Sequence, residues 1–268
     1  MSFIKNKDIN LSLLSELLSI PTFAEIESEI ENIDPLKTYE TIDELNHLFG
    51  TKLKGELHFK LHEIEKNLNK VWPEGKNERK LIETIWKLLL HSDDEEIKSK
   101  IISYVDSNSM TLAKAALNSF SRINCPERQT ISNIFFNKWK NNSVVLDSWF
   151  SFNASIETDD KTSGIEKLFK NKFFDSKSPN TLRAILNNFV SRNSTFHSVD
   201  GSGYKYIAKK IIDFDKLNPI LISRFVKVFS RYNYYSDPYK SNMIKTIKQI
   251  KKNKLSTNTK EVIDSIIK

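Results

Sequence analysis

Two imidazoles stand four residues apart in His58-Phe-Lys-Leu-His62. On a helix that spacing puts both rings on one face, where they can grip a divalent metal. A hydrolytic zinc helix, however, reads His-Glu-x-x-His, the glutamate beside the first histidine serving as base. Phe59 occupies that position, and Glu63 and Glu65 follow the pair without restoring the motif. The expectation is two surface histidines, no metal ligand and no catalytic residue. The one cysteine, Cys125, precedes Pro126. A helix dipole there could lower a thiol pKa, but no histidine is spaced to activate it, so it reads as a small residue near a helix start. Asp200-Gly-Ser-Gly-Tyr204 is too short for a phosphate-cradling glycine loop and follows no strand; it reads as a tight turn capping a helix. Trp139, Trp149 and Phe150 read as core anchors, not stacking platforms for bases. Asp93–Glu96 and Asp159-Asp160 read as acidic helix starts that complement the dipole.

The elements that would position these residues are helices. Six Gly and seven Pro in 268 residues leave long uninterrupted stretches, and Leu, Ile, Lys and Glu abound. Thr22/Glu25 and Ser92/Glu95 have capping-box spacing. Asp34-Pro35, Ser178-Pro179, Asn218-Pro219 and Asp237-Pro238 each set a cap residue before a proline, whose missing N–H is harmless in a first turn. Gly50 is expected to close the helix opened at Pro35, and Trp72-Pro73-Glu74-Gly75 to form a turn. Leu81, Ile82, Ile85, Leu88 and Leu89 form one helical stripe, and Leu221, Ile222, Phe225 and Phe229 another. A dozen to fifteen such helices without a Gly/Ser linker predict one all-α domain, residues 1–268, built as an irregular solenoid of stacked antiparallel helix pairs.

Seventeen Phe, eight Tyr and four Trp argue for a packed core. One cysteine permits no internal disulfide, and neither a signal peptide nor an apolar run of about 18 residues is present, so a cytoplasmic protein without membrane contact is expected. Charge is uneven: residues 1–90 hold 12 Lys/Arg against 16 Asp/Glu, residues 91–268 hold 29 against 18. The basic part could serve a stand-alone helical module that binds protein or nucleic acid. The lysines are nonetheless scattered at helix-surface spacing, so nucleic acid is not the expected partner.

An ordered set of segments carries a resemblance. LLSELLSIPTFAEIESEIENIDP (Leu13–Pro35) comes first, then Asn77–Leu81, Ser109–Thr111 with Ala115–Leu117, and Phe136–Lys140. LDSWF (Leu146–Phe150), SPNTLR (Ser178–Arg183), FHSVDGSGY (Phe196–Tyr204) and NPILISR (Asn218–Arg224) follow. Together they resemble the C-terminal domain of the bacterial aminopeptidase N family, zinc metallopeptidases that remove N-terminal residues from peptides. The resemblance implies an all-helical domain that closes over the catalytic domain and lines its peptide channel. By motif, the two arginines that reach the primed side of that channel fall on Arg183 and Arg224. The glutamine common four residues before the second arginine is replaced by Ile220, which implies a more apolar pocket. A guanidinium can hold the carboxylate of a short peptide bidentately; the bland alternative is that each arginine pairs with an acidic neighbour. The family's His-Glu-x-x-His, its downstream Glu ligand and its Gly-x-Met-Glu-Asn are absent here. The resemblance therefore implies a chain without the upstream peptidase domain and its Zn2+, inactive alone, needing no cofactor of its own. Its implied partners are that domain and, through it, peptide substrates.

Overall fold

A computed structural model describes residues 2–70, 73–157 and 162–268. The expected Trp72 turn and the Asp159-Asp160 helix start lie partly or wholly outside these residues. Among them are sixteen α-helices and three short 3-10 segments, with one isolated bridge, Ile33 to Tyr235, in place of strands. The helices are α1 (Ser2–Lys5), α2 (Leu11–Leu18), α3 (Phe23–Glu29), α4 (Pro35–Lys52), α5 (Lys54–Glu65), α6 (Lys76–Leu90), α7 (Glu95–Val105) and α8 (Met110–Ser119). They continue as α9 (Arg128–Trp139), α10 (Ser143–Ser155), α11 (Ser163–Phe169), α12 (Pro179–Arg192), α13 (Ser202–Phe214), α14 (Pro219–Phe225), α15 (Tyr239–Lys251) and α16 (Thr257–Ile266). The fold class is the expected one: all-α, with successive helices stacked as in an irregular solenoid.

Two compact units share these helices: residues 1–22 with 40–149, and residues 23–39 with 150–268. In the first unit α6 is the central helix, packed against α2, α5, α7 and α8. Its stripe is wholly buried, and the Trp86 ring lies 5.0 Å from Tyr104. In the second unit α13 packs on α14 and α15, α14 on α16, and α12 on α3, α11 and α14. The excursion of residues 23–39 into this unit is fastened by polar contacts. Arg231 Nη2 donates to the Glu27 carbonyl at 2.8 Å, Tyr235 Oη donates to the Glu27 carboxylate at 2.7 Å, and Ile33 N–H donates to the Tyr234 carbonyl.

The caps follow the proline devices. Asp34 Oδ1 accepts from the N–H groups of Leu36 and Lys37 as α4 begins at Pro35, and Ser178 Oγ accepts from Thr181 N–H as α12 begins at Pro179. α14 begins at Pro219, although the Asn218 amide turns away to the Ser176 carbonyl. α3 begins at Phe23, directly after Thr22. Three expectations are displaced. α15 begins at Tyr239, one residue beyond the expected Pro238. The cap of α7 is Asp94, whose carboxylate accepts from Ile97 N–H at 3.1 Å, while Ser92 Oγ turns back to the Leu89 carbonyl at the end of α6. Gly50 ends no helix: α4 continues to Lys52, and a Cβ at Gly50 would lie 2.0 Å from the Leu88 carbonyl oxygen. Glycine there lets α4 approach the backbone of α6.

Candidate functional site

α12 buries Leu182, Ile185, Leu186 and Phe189 and turns Arg183, Asn187, Val190 and Ser191 outward. These four lie at i, i+4, i+7 and i+8, one helical face. Downstream, Ile222, Phe225, Val226 and Phe229 are buried along α14 and the following 3-10 turn. Leu221, Arg224 and Val228, at i, i+3 and i+7, form that segment's outward edge, and the largely buried Phe225 lies between them. The two stripes line one groove of about 510 Å³, within the range of small-ligand sites (about 300–1,000 Å³).

Arg183 and Arg224, 41 positions apart in sequence, thus share a groove whose other walls are Val190, Leu221, Phe225 and Val228, with Asn187 and Ser191 as its uncharged polar groups. Both arginines are exposed. Among the described residues the one polar contact of Arg183 is a long one, Nη1 to Asn180 Oδ1 at 3.4 Å. Among the described residues neither guanidinium is in an ion pair. The acidic-neighbour reading therefore finds no support, and the lining carries positive charge without a carboxylate. Ile220 sits in the first turn of α14 with 62 % of its surface exposed, but it is not one of the groove-lining residues. The sequence alone gives no reason to choose Asn187, Val190, Ser191 and Val228. Helical spacing from the two arginines reaches them, yet nothing in the sequence states that these two faces meet.

The other candidates serve structure. His58 Nε2 lies 2.7 Å from Asp94 Oδ2, and Lys54 Nζ 3.0 Å from the same oxygen. Burial alone would raise the Asp94 pKa; hydrogen bonds from His58, Ile97 N–H and Lys54 outweigh it and hold the carboxyl at about 2. His62 is exposed, and among the described residues no three His, Cys, Asp or Glu side chains are grouped to hold a metal. The residues present do not fit a zinc ion. α9 begins at Arg128, leaving Cys125 outside its first turn. Burial pushes the Cys125 thiol up and Glu127 beside it acts in the same direction, the reverse of an activated nucleophile. Gly201, in the left-handed region at φ 70°, precedes α13, and Asp200 Oδ1 accepts from Ser202 N–H; this is the expected capping turn. Phe150 is buried. Trp149 is half-buried, with its indole N–H given to Ser132 and its ring 4.9 Å from Phe136. Trp139 is half-buried 6.4 Å from Phe135.

Fold and site together define a helical-repeat domain with a basic, apolar-walled groove and no metal centre of its own among the described residues. The chain belongs to the DUF3458_C family, described as a domain of unknown function with ARM repeats, whose model matches residues 1–268. It is 25 % identical over 249 residues to aminopeptidase N of Escherichia coli K12, covering 92 % of this chain and 28 % of that protein. It is 26 % identical over 148 residues to aminopeptidase N of Haemophilus influenzae, covering 55 % and 17 %. The crystal structure of Legionella pneumophila aminopeptidase A in complex with aspartic acid aligns with a TM-score of 0.87 and 26 % identity, covering 99 % of this chain and 32 % of that one. The chain thus corresponds to the C-terminal domain of aminopeptidase N-like enzymes and spans about a third or less of its relatives' length.

Proposed function

We propose that residues 1–268 act as the C-terminal domain of an aminopeptidase N-like zinc metallopeptidase of the cytoplasm. In this reading the upstream peptidase domain carries the zinc and the hydrolytic chemistry. This domain closes the active-site chamber and lines the primed side of its peptide channel. Arg183 and Arg224 take the peptide's carboxylate, and the chain alone does not hydrolyse. The observation that carries the reading is the meeting of these two arginines, without ion-pair partners, in one groove. Ile220, next to Leu221 in the chain and exposed, takes in this reading the place of the family's glutamine and offers apolar surface instead of a polar contact.

The test compares two substrate types on the zinc-loaded full-length enzyme. A dipeptide or tripeptide has a primed-side carboxylate; an aminoacyl chromogenic amide does not. Hydrogen bonds to a charged group contribute about 1.5–3 kcal/mol, so Arg183→Ala or Arg224→Ala should raise KM for short peptides roughly ten- to a hundredfold while leaving the amide almost unchanged. Equal effects on both substrates refute the channel role. Zinc-dependent turnover of the amide by residues 1–268 alone refutes the division of labour.

A further inference from the structure

The walls of the groove say more than its charge. A site for a bare anion needs only donors, yet Val190, Leu221, Phe225 and Val228 occupy half of the lining. Val190, Leu221 and Val228 are half-buried, so part of each faces outward, whereas Phe225 shows only 8 % of its surface. Apolar side chains beside two guanidiniums present water with a poorly solvated surface, and covering it with an apolar group is favourable. Asn187 stands on the α12 side one turn before Ser191, whose hydroxyl donates to the Asn187 carbonyl at 2.7 Å, so the Asn187 amide is the group there that can pair with a peptide unit.

From this arrangement we propose that the groove selects peptides by their last residue, holding the free carboxylate between Arg183 and Arg224 and an apolar terminal side chain against Val190, Leu221 and Val228. The inference rests on the reading of this groove as a peptide-binding surface and adds the side-chain preference and the residues that set it. A polar terminal side chain loses water against these walls and gains no partner, because Asn187 is taken up by the last peptide group and the Ser191 hydroxyl by the Asn187 carbonyl. A terminal amide forfeits the charge that the guanidiniums complement.

Calorimetric or NMR titration of the 268-residue chain with three acetylated dipeptides tests this without catalysis: acetyl-Ala-Leu acid, acetyl-Ala-Leu amide and acetyl-Ala-Ser acid. The leucine acid is expected to bind at least about tenfold more tightly than its amide and about three- to tenfold more tightly than the serine acid. Leu221→Ser, or Val190→Ser should the first variant fold poorly, is expected to shrink the leucine-over-serine ratio while keeping the acid-over-amide ratio. Arg224→Lys should do the reverse, since an ammonium keeps the charge but not the bidentate geometry. Equal binding of leucine and serine acids, equal binding of acid and amide, or no binding of any of the three overturns the inference. The primed-side assignment is read separately: it falls if the two substrate types respond equally to loss of the arginines, whatever the dipeptide ratios.

Discussion

Gly50 and Gly55 are both helical, and replacing each with alanine should move stability in opposite directions. In a helix interior alanine is favoured over glycine by about 1 kcal/mol. At Gly50 this gain meets an obstacle: the new methyl would lie 2.0 Å from the Leu88 carbonyl oxygen and 3.0 Å from its carbon. Ordinary contact begins near 3.4 Å, so α4 and α6 must separate by roughly 1.4 Å, a movement of backbone against backbone. Overpacking of this kind costs about 1–3 kcal/mol, and separation also loosens the contacts of the buried Leu88. Gly50→Ala should therefore be destabilising by up to about 2 kcal/mol, the clash outweighing the propensity gain. At Gly55 a Cβ meets nothing within 4 Å. Because Gly55 is the second residue of α5, the gain there should be smaller than in an interior, about 0.5 kcal/mol. All four tryptophans of the chain precede residue 150, so indole fluorescence during urea unfolding reports the unit that holds both glycines. A Gly50→Ala midpoint at or above that of the unmodified chain refutes the close-approach account. A Gly55→Ala loss as large as that of Gly50→Ala does so as well.

Two further perturbations concern pH and capping. Burial lowers His197 from 6.5 to about 3 and His91 from 6.5 to about 4. Each folded pKa lies below the unfolded value, so both groups favour folding fully above pH 6.5 and progressively less as pH falls towards those values. Between pH 7 and 5 the loss should be about 2 kcal/mol from each, and His197→Phe should flatten the urea-midpoint-against-pH slope of the second unit; an unchanged slope refutes its neutral burial. Asp94→Ala should cost about 1 kcal/mol as the true cap of α7, and Ser92→Ala only a few tenths by urea midpoint; the reverse ranking would restore Ser92 as the cap.

What could be read from the sequence, and what could not, divides along the range of the interactions involved. Pro35, Pro179 and Pro219 mark helix starts because proline's own geometry restricts where it fits. The Leu81–Leu89 stripe is legible because burial follows a local period. Ser92 misleads because Ser, Asp and Asp in succession can each cap, and the choice depends on Asp93 taking a positive φ of 54° and on the end of α6 claiming the serine hydroxyl. Gly50 misleads because the same residue type serves helix ends and helix crossings, and only the 38-residue separation from Leu88 distinguishes them. The placement of residues 23–39 with the C-terminal unit rests on contacts across some 200 positions, Glu27 to Arg231 and Tyr235, which no local pattern carries. The candidate site shows the same split. A family resemblance points to Arg183 and Arg224; their meeting in one groove comes from the packing of α12 on α14.

That groove's charge is not a by-product of a lysine-rich surface. Other cations of the same unit find carboxylates: Lys210 holds Glu166 at 2.7 Å, Lys251 holds Asp264 at 2.8 Å, and Arg231 lies 3.9 Å from Glu27. Acidic residues are therefore available to α11–α16, and composition does not force an arginine to go without one. Arg183 and Arg224 nonetheless open onto a groove where the neighbouring positions are Val190, Leu221 and Val228 instead of Asp or Glu. Two exposed like charges disfavour each other only weakly through water and salt, so the fold tolerates them. An anion between them removes that cost and gains charge-assisted hydrogen bonds from both guanidiniums. The electrostatic part of such binding is screened by salt, whereas the apolar part is not weakened by it. The preference for acid over amide should therefore diminish at high ionic strength while the preference for leucine over serine persists, so that one titration series at two salt concentrations separates what the arginines contribute from what the walls contribute.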